Sequence, residues 1–399
     1  MCLTRAPVVR YNCAVSAFAG VVTTGIYCRP SCGANPKPGN VRPFEFAAAA
    51  EAAGYRACLR CRPYRTNVQV NLQGPEVVCR AIRLILDGAL DNHGEDDLAS
   101  RLDVSARHLR RLFREHVGAT PDQLARSCRA HFARRMLDDT DLSVTDVAFA
   151  AGFSSLRQFN RTMLATFRAP PLALRARRRK SDRLVADGGL ALRMEYSHPL
   201  DWPKMLDCLR ARAIDGVESV DECAYRRTIA VEGDVGALEV REGGPGFLEL
   251  RLHLPHWRGL LHLVQRARGI FNLDCDPREM SPGGGEGPPT VWRDGACTLR
   301  PPGTWDPFEL GVCALIAQQG NGARAVTARL VETHGERAPG LSQLGLTHTF
   351  PAPAVLAAAD LEGVGIDTEH AAVIRALAVA AEPRELEGRT WEADRVRSG

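Results

Sequence analysis

Thr23-Thr24-Gly25-Ile26-Tyr27-Cys28-Arg29-Pro30-Ser31-Cys32, answered by Cys58-Leu59-Arg60-Cys61-Arg62-Pro63, decides the reading of this 399-residue chain. A C-x3-C pair followed some distance on by a C-x2-C pair is the spacing of two short chelating loops around one tetrahedral zinc ion held by Cys28, Cys32, Cys58 and Cys61. Calcium loops are acidic; these carry arginines. A basic frame around a thiolate cluster suits a site that faces an anion such as DNA. On spacing alone two plainer readings stay open: a purely structural zinc knuckle, and a redox pair at Cys58 and Cys61. The redox pair lacks the strand-then-helix pattern that normally surrounds one.

The length implies two to four domains, and an apolar fraction of 45% is ample for burial. The net charge of +4 predicts no partner. Its distribution is more informative, because Arg101 to Arg183 carries an excess of about ten positive charges while the later half is near neutral or acidic. That segment is a candidate polyanion binder. Met1 to Cys13 has no apolar core of the length a secretory signal needs, and no later run approaches the ~20 apolar residues of a membrane span. The expectation is a cytoplasmic, nucleoid-associated protein with no membrane partner. In a reducing compartment the thirteen cysteines are not disulfides, and Cys79, Cys128, Cys208, Cys223, Cys275, Cys297 and Cys313 read as plain buried residues.

Four regions separate by pattern. Residues 1–66 are rich in Gly, Pro and Cys, with one short helix over Phe46 to Ala53 stopped by Gly54; so little apolar material calls for a metal staple. Over residues 77–178 the period is helical: Leu98, Leu102, Leu109, Leu112, Phe113 and Val117 recur at steps of three and four. Leu102-Asp103-Val104-Ser105 reads as a turn with an N-cap serine, and the pattern repeats around Gly152-Phe153-Ser154-Ser155. Two helix-turn-helix units therefore follow one another, and a basic linker closes the region. Residues 188–282 alternate as strands around Glu232-Gly233-Asp234 and Gly243-Gly244-Pro245-Gly246, an antiparallel meander with helices over Trp202 to Ala213 and Trp257 to Arg268. After a Gly/Pro-rich boundary at Ser281 to Pro289, residues 290–399 are helical again.

Thr23 to Cys32, Ala52-Ala53-Gly54-Tyr55-Arg56 and Cys58 to Cys61 together resemble the methylphosphotriester repair domain of the Ada adaptive-response family, over about Val21 to Tyr64. The resemblance implies that Cys28, first of the C-x3-C pair, accepts a methyl group from a DNA phosphotriester. The chemistry agrees: zinc holds thiolates deprotonated at neutral pH, and a thioether has no easy leaving path, so each chain reacts once. Methylation also removes one negative charge from the thiolate centre, which weakens its repulsion of phosphates and favours DNA binding. The segment before Val21 is shorter than the family's opening, and Cys13-Ala14-Val15-Ser16 does not match it.

Residues from about Ile82 to Arg175 resemble the AraC class of transcription activators. That resemblance places a first recognition helix from Ser105, presenting Arg107, Arg110 and Arg111, and a second from Ser155, presenting Arg157, Gln158 and Arg161. Arg reads guanine edges and Gln adenine, while His108 and Arg114 are assigned to phosphate. The plainer alternative is a helical bundle with solvated arginines.

Tyr196 to Glu218 and Tyr225-Arg226-Arg227-Thr228 resemble the N-terminal domain of AlkA-type 3-methyladenine DNA glycosylases, and Trp305 to Glu309 with Ile316-Ala317-Gln318-Gln319 extend the likeness into the helical glycosylase domain. Leu299 falls where that family places an intercalating wedge, which an ordinary loop leucine would equally resemble. These glycosylases use an aspartate after a helix-hairpin-helix of the L-P-G-[IV]-G-x-x-T-A kind. No such segment followed by aspartate occurs: Leu361-Glu362-Gly363-Val364-Gly365 imitates it, and Glu387 and Asp394 beyond it have no recognisable context. The chain is expected to stop before that active site.

The expected fold class is therefore multidomain α+β: a small zinc domain, an all-α double helix-turn-helix domain, an antiparallel α+β (TATA-box-like) domain and a partial all-α HhH-GPD glycosylase domain. The expected function is irreversible, single-turnover methyl acceptance by Cys28 with one zinc ion per chain, coupled to promoter binding and transcription activation. Its partners would be alkylated double-stranded DNA, promoter DNA and RNA polymerase. The alternatives are a DNA-3-methyladenine glycosylase, a hydrolase, and a DNA-binding regulator with purely structural zinc. The Pro-Cys-His-Arg context of Ada's other acceptor is absent, so direct repair of O6-methylguanine is not expected.

Overall fold

Gly20 lets two aromatic rings close over the first strand: a Cβ there would lie 2.7 Å from the Phe44 ring and 3.0 Å from that of Tyr55. The strand belongs to a computed structural model that describes residues 18–34, 36–65, 74–91, 93–179, 182–184, 189–196, 200–231, 233–274, 301–320 and 322–381. Leu299, Cys275, Cys297, Glu387, Asp394 and the Ser281 to Pro289 boundary lie outside the described residues. The chain divides into two compact units, residues 1–213 with 218–305 and residues 214–217 with 306–399. The mixture of helices and mainly antiparallel sheets is the multidomain α+β class.

In the first unit, β1 (Phe18–Val21), β2 (Ile26–Cys28), β3 (Val41–Phe44) and β4 (Arg56–Ala57) form a sheet in the order β3-β1-β2-β4. β1 is antiparallel to β2 and β3, whereas β2 and β4 run parallel. The short alanine-rich helix α1 (Ala47–Ala52) packs on this sheet and ends at Gly54, whose φ of +88° suits glycine. Phe18, Tyr27, Phe44 and Tyr64 of this module join a single apolar core with the helices that follow. A core too small to stand alone is completed by its neighbour.

Those helices are α2 (Glu76–Leu86), α3 (Glu95–Ser100), α4 (Ala106–His116), α5 (Pro121–Asp139), α6 (Val144–Ala150), α7 (Leu156–Phe167) and α8 (Pro171–Ala176). Serine hydroxyls start the key ones: Ser105 accepts from the His108 amide, Ser143 from Asp146 and Ser155 from Gln158, and Thr120 builds a capping box with Gln123 at the head of α5. The α3–α4 turn places Asp103 at φ +55° and the α6–α7 turn places Gly152 at φ +82°, so both helix-turn-helix units turn through a left-handed residue. α5 joins the two units and is buried nearly all round, burying Arg129, His131, Arg134, Asp138 and Asp139 beside Leu124, Phe132, Met136 and Leu137.

The same unit continues with β5 (Leu190–Glu195), α9 (Trp202–Arg212), β6 (Glu218–Val220), β7 (Ala224–Val231), β8 (Asp234–Gly244), β9 (Phe247–His253) and α10 (Leu260–Ile270). The sheet order is β5-β9-β8-β7-β6, antiparallel throughout, with a bulge between Glu242 and Gly244. Trp202 and Tyr225 close against Phe271 at centroid distances of 5.4 and 5.6 Å. Cys223 is exposed, against the expectation of a buried residue, while Cys79 is buried.

The second unit packs α11 (Pro307–Gln318), α12 (Ala323–His334), α13 (Pro353–Ala358) and α14 (Thr368–Ala381) around Val312, Ile316, Leu330, Leu356, Leu361 and Ile374. Residues 214–217 belong here through Gly216, whose carbonyl accepts from the Thr347 amide at 2.7 Å, and Asp215 pairs with Arg324. Leu361 to Gly365 form the turn between α13 and α14, with Gly365 at φ +93°. Among the described residues no helix is long and apolar enough to cross a membrane.

Candidate metal centre and nucleic-acid interface

The parallel pairing of β2 with β4, Ile26 opposite Arg56 and Tyr27 opposite Ala57, sets Cys28 and Cys58 side by side at the strand ends. The Cys58 amide donates to the Tyr27 carbonyl at 3.0 Å and locks that register. A turn closed by the Cys32 amide on the Arg29 carbonyl at 2.9 Å brings Cys32 back. The Arg62 amide on the Cys58 carbonyl at 3.0 Å does the same for Cys61. The sulfurs of Cys28, Cys32, Cys58 and Cys61 all lie within 4.8 Å of one another. Four sulfurs about 2.3 Å from one zinc ion stand roughly 3.8 Å apart, so the cluster has the size of a single tetrahedral site.

Without a cation these groups compete for protons. Cys61 is pulled down to about 5, first by the Cys28 thiol donating to it and then by the Arg29 amide, which lies 3.4 Å from its sulfur. Cys28 is pushed far up by that same hydrogen bond and by burial next to Cys58. Burial also raises Cys32, against a backbone hydrogen bond from Ala34. A divalent ion relieves this competition, and the donor set fits zinc. Cys28 is the most enclosed of the four at 5% exposure. Arg29 turns its guanidinium back on the Cys61 carbonyl, with Nε at 2.8 Å, and so staples the two chelating loops together.

The residues after Cys61 anchor the module to α5, to Asp182 and to β5. Arg62 binds Asp182 at 2.7 Å, Tyr64 donates to Asp138 at 3.0 Å, and Arg65 binds Asp139 at 2.8 Å and Glu195 at 3.2 Å. Arg193 reaches the same Asp139 at 3.0 Å. Burial raises the Asp139 pKa, and Arg65 and Arg193 oppose that shift. Spacing in the sequence did not point to these partners, because each bond joins distant segments.

Helices α4 and α7 begin after Ser105 and Ser155, where the sequence placed their starts. Arg107, His108, Arg110, Arg111 and Arg114 are all exposed on α4. Arg110 is held by Glu95 of α3, a carboxylate that also accepts the Asp122 amide at 3.0 Å. Arg111 contacts His108 Nδ1 at 3.2 Å and Glu115 at 3.8 Å. Arg107 and Arg114 have no ion-pair partner among the described residues. On α7, Arg157 and Arg161 are exposed one turn apart, and the half-buried Gln158 accepts from the Ser154 hydroxyl at 3.0 Å.

Three family profiles match: the metal binding domain of Ada over residues 10–64, a helix-turn-helix domain over 98–177 and the AlkA N-terminal domain over 191–282. A probable bifunctional transcriptional activator/DNA repair enzyme AlkA of Mycobacterium tuberculosis is 38% identical over 375 residues, 92% of this chain and 75% of the relative. The bifunctional transcriptional activator/DNA repair enzyme Ada of Escherichia coli is 36% identical over 143 residues, 35% of this chain and 39% of that protein. DNA-3-methyladenine glycosylase 2 of the same bacterium is 34% identical over 200 residues, 47% of this chain and 66% of that protein. With a four-cysteine centre for one zinc ion, a paired helix-turn-helix and an AlkA-type N-terminal domain in one chain, this protein belongs to the Ada/AlkA family of bifunctional transcriptional activator and DNA repair proteins.

Proposed function

We propose that this chain takes a methyl group from DNA methylphosphotriesters onto Cys28 and thereby regulates its own binding to promoter DNA. The observation that carries the assignment is the unequal treatment of the four sulfurs. Cys61 accepts the Arg29 amide and Cys32 a backbone bond from Ala34, whereas no backbone N–H donates to the sulfur of Cys28 or of Cys58 among the described residues. Hydrogen bonding to a thiolate lowers its nucleophilicity, so Cys28 and Cys58 are the better attackers, and of these Cys28 opens the C-x3-C pair, the position to which the resemblance to the Ada family assigns the acceptor role. Zinc held by the four cysteines would keep them deprotonated at neutral pH.

The Cys28 sulfur attacks the methyl carbon opposite the ester oxygen. A carbon–sulfur bond forms, the carbon–oxygen bond breaks, and its electron pair leaves on the phosphate as an ordinary diester. No proton moves, and the thioether is permanent. Because Cys28 is enclosed, transfer also requires local opening at the cluster. The arginines of α4 and α7 supply the phosphate and base contacts, with RNA polymerase as the partner of the activator role. The setting is the bacterial cytoplasm.

Incubating the zinc-loaded chain with a duplex carrying one methylphosphotriester, followed by peptide mapping, tests this. One methyl on Cys28 and no turnover is the expected result; a methyl on Cys32, Cys58 or Cys61, or none, overturns it.

The likeness to glycosylases favours a second reading, base excision. The carboxylates around the α13–α14 turn speak against it. Asp360 accepts the Gly363 amide at 3.1 Å, Glu362 pairs with Arg375, and Asp367 caps α14 by accepting the His370 amide at 2.9 Å. All three serve the turn and its helices.

A further inference from the structure

Tyr27, the residue before Cys28, is wholly buried on β2 with its ring edge-on to Phe18 at 5.6 Å. Its hydroxyl donates to Glu51 Oε1 at 2.7 Å, and the Nε2 of His131 lies 2.7 Å from the same oxygen and 3.0 Å from the Tyr27 hydroxyl. An ionised carboxylate only accepts, so the Tyr27 hydroxyl is the donor of its bond to Glu51. His131 stands on α5, and its ring meets that of Phe167, the last residue of α7, at 5.9 Å. Phe167 in turn packs edge-on against Tyr64 at 5.7 Å, and Tyr64 leads back to the loop of Cys61.

Both chelating loops thus end on one face of α5. The first arrives at His131 and the second at Asp138, with Arg134 between them; positions 131, 134 and 138 share a helical face. Every step is a packed ring or a hydrogen bond that is buried or partly buried. Interiors at that density do not absorb a displacement locally; they pass it on.

We propose, building on the methyl-acceptor reading, that Tyr27, Glu51 and His131 are positioning residues that transmit the metal and methyl state of the thiolate centre mechanically to α5, and from there to the recognition helix α7. A thiolate and a thioether bind a metal differently, so methylating Cys28 shifts the end of β2. The Tyr27 hydroxyl moves with it, and the shared Glu51 oxygen must release or follow one of its two donors. The coupling is reciprocal: whatever the thiolate state does to α7, DNA held by α7 does to the thiolate centre. It is also distinguishable from a change of charge acting through space. Salt screens charges beyond a Debye length of about 10 Å at 0.1 M and about 4 Å at 0.5 M, but it does not screen a packed path.

The test uses the full zinc-loaded chain methylated with iodomethane, in which the sulfur–carbon bond forms as iodide leaves. Hydrogen exchange of the α5 and α7 peptides is compared before and after, at about 0.1 M and about 0.5 M NaCl. Methylation should alter those rates by at least about threefold at both salt concentrations. In Tyr27→Phe, which removes only the hydroxyl, and in His131→Phe, which keeps a ring against Phe167, the chain should still bind one zinc and take the methyl while the change in α5 and α7 is lost. An equal change in the variants, or none in the parent chain once the methyl is mapped to Cys28, overturns the link.

If no methyl reaches Cys28, the acceptor reading fails alone, and zinc removal with a chelator then reads the link. Faster exchange in α5 and α7 that Tyr27→Phe diminishes supports it; the same increase in both proteins overturns it.

Discussion

His262 of α10 reaches Asp91 through Nε2, 2.6 Å from Oδ2, while its Nδ1 lies 2.7 Å from the carbonyl oxygen of Leu86. Both ring nitrogens face acceptors, an arrangement that favours the doubly protonated, cationic ring. Burial opposes that charge, but the hydrogen bond and charge of Asp91 outweigh it and raise the His262 pKa. Arg129, 2.7 Å from Asp91 on the other side, works against His262 and with Asp91.

A histidine whose folded value is raised stabilises fully below its unfolded value of about 6.5, and that stability is lost as pH rises through the folded value. The melting temperature of the first unit should therefore fall as pH rises above about 6.5 through the raised folded value, and His262→Gln should flatten the fall. Thermal melts of parent and variant across that range decide it; parallel curves would rule out His262 as the origin.

Asp138 and Arg134 form an ion pair with side-chain exposures of 0% and 2%. Asp138→Ala leaves a buried guanidinium without its carboxylate, a loss of about 3–5 kcal/mol in urea unfolding. Replacing both residues by apolar ones of similar volume should cost clearly less. A single variant as stable as the parent would mean that the pair contributes little.

The metal centre predicts a division among the cysteines. Cys61→Ser should bind zinc much more weakly, because it removes a ligand and the acceptor of the Arg29 amide. Native mass spectrometry of the parent should show one zinc per chain. A variant retaining stoichiometric zinc at low micromolar metal would remove Cys61 from the ligand set.

Arg107 and Arg157, both exposed, are free to meet bases. Alanine at either should cost about 1–3 kcal/mol on a cognate duplex and relax preference at one base position. Arg114→Ala should weaken all sequences alike and lower the salt slope by about 1. Arg110 must first release Glu95, so Glu95→Ala should raise affinity at constant salt. Fluorescence anisotropy titrations read all four, and a uniform loss for Arg107→Ala would reassign it to phosphate.

Excision of 3-methyladenine by this 399-residue chain should not exceed the rate without protein, since the carboxylates of the α13–α14 turn are engaged in that turn. Base release that Asp360→Asn abolishes, while Tyr27→Phe leaves it intact, would make the chain a working glycosylase.

What the amino-acid sequence determined by itself lies within a few residues of each signal. The chelating pairs follow from cysteine spacing, the starts of α4 and α7 from Ser105 and Ser155, and the β8–β9 hairpin from its glycines, because these bonds close over short stretches of chain. The tertiary structure decided the rest. α5 has no clean polar face, since it buries Arg134, Asp138 and Asp139 together with its apolar residues, so periodicity could not show which way it packs. Residues 214–217 leave the sheet-bearing unit for the helical one through backbone bonds at Gly216, which no side-chain pattern reveals. Tyr27 meets His131 across 104 residues and His262 meets Asp91 across 171. A buried tyrosine, glutamate or histidine looks the same in sequence whether it is solvated or shared; only the path of the chain brings the three to one oxygen, and only there does desolvation turn ordinary side chains into a link.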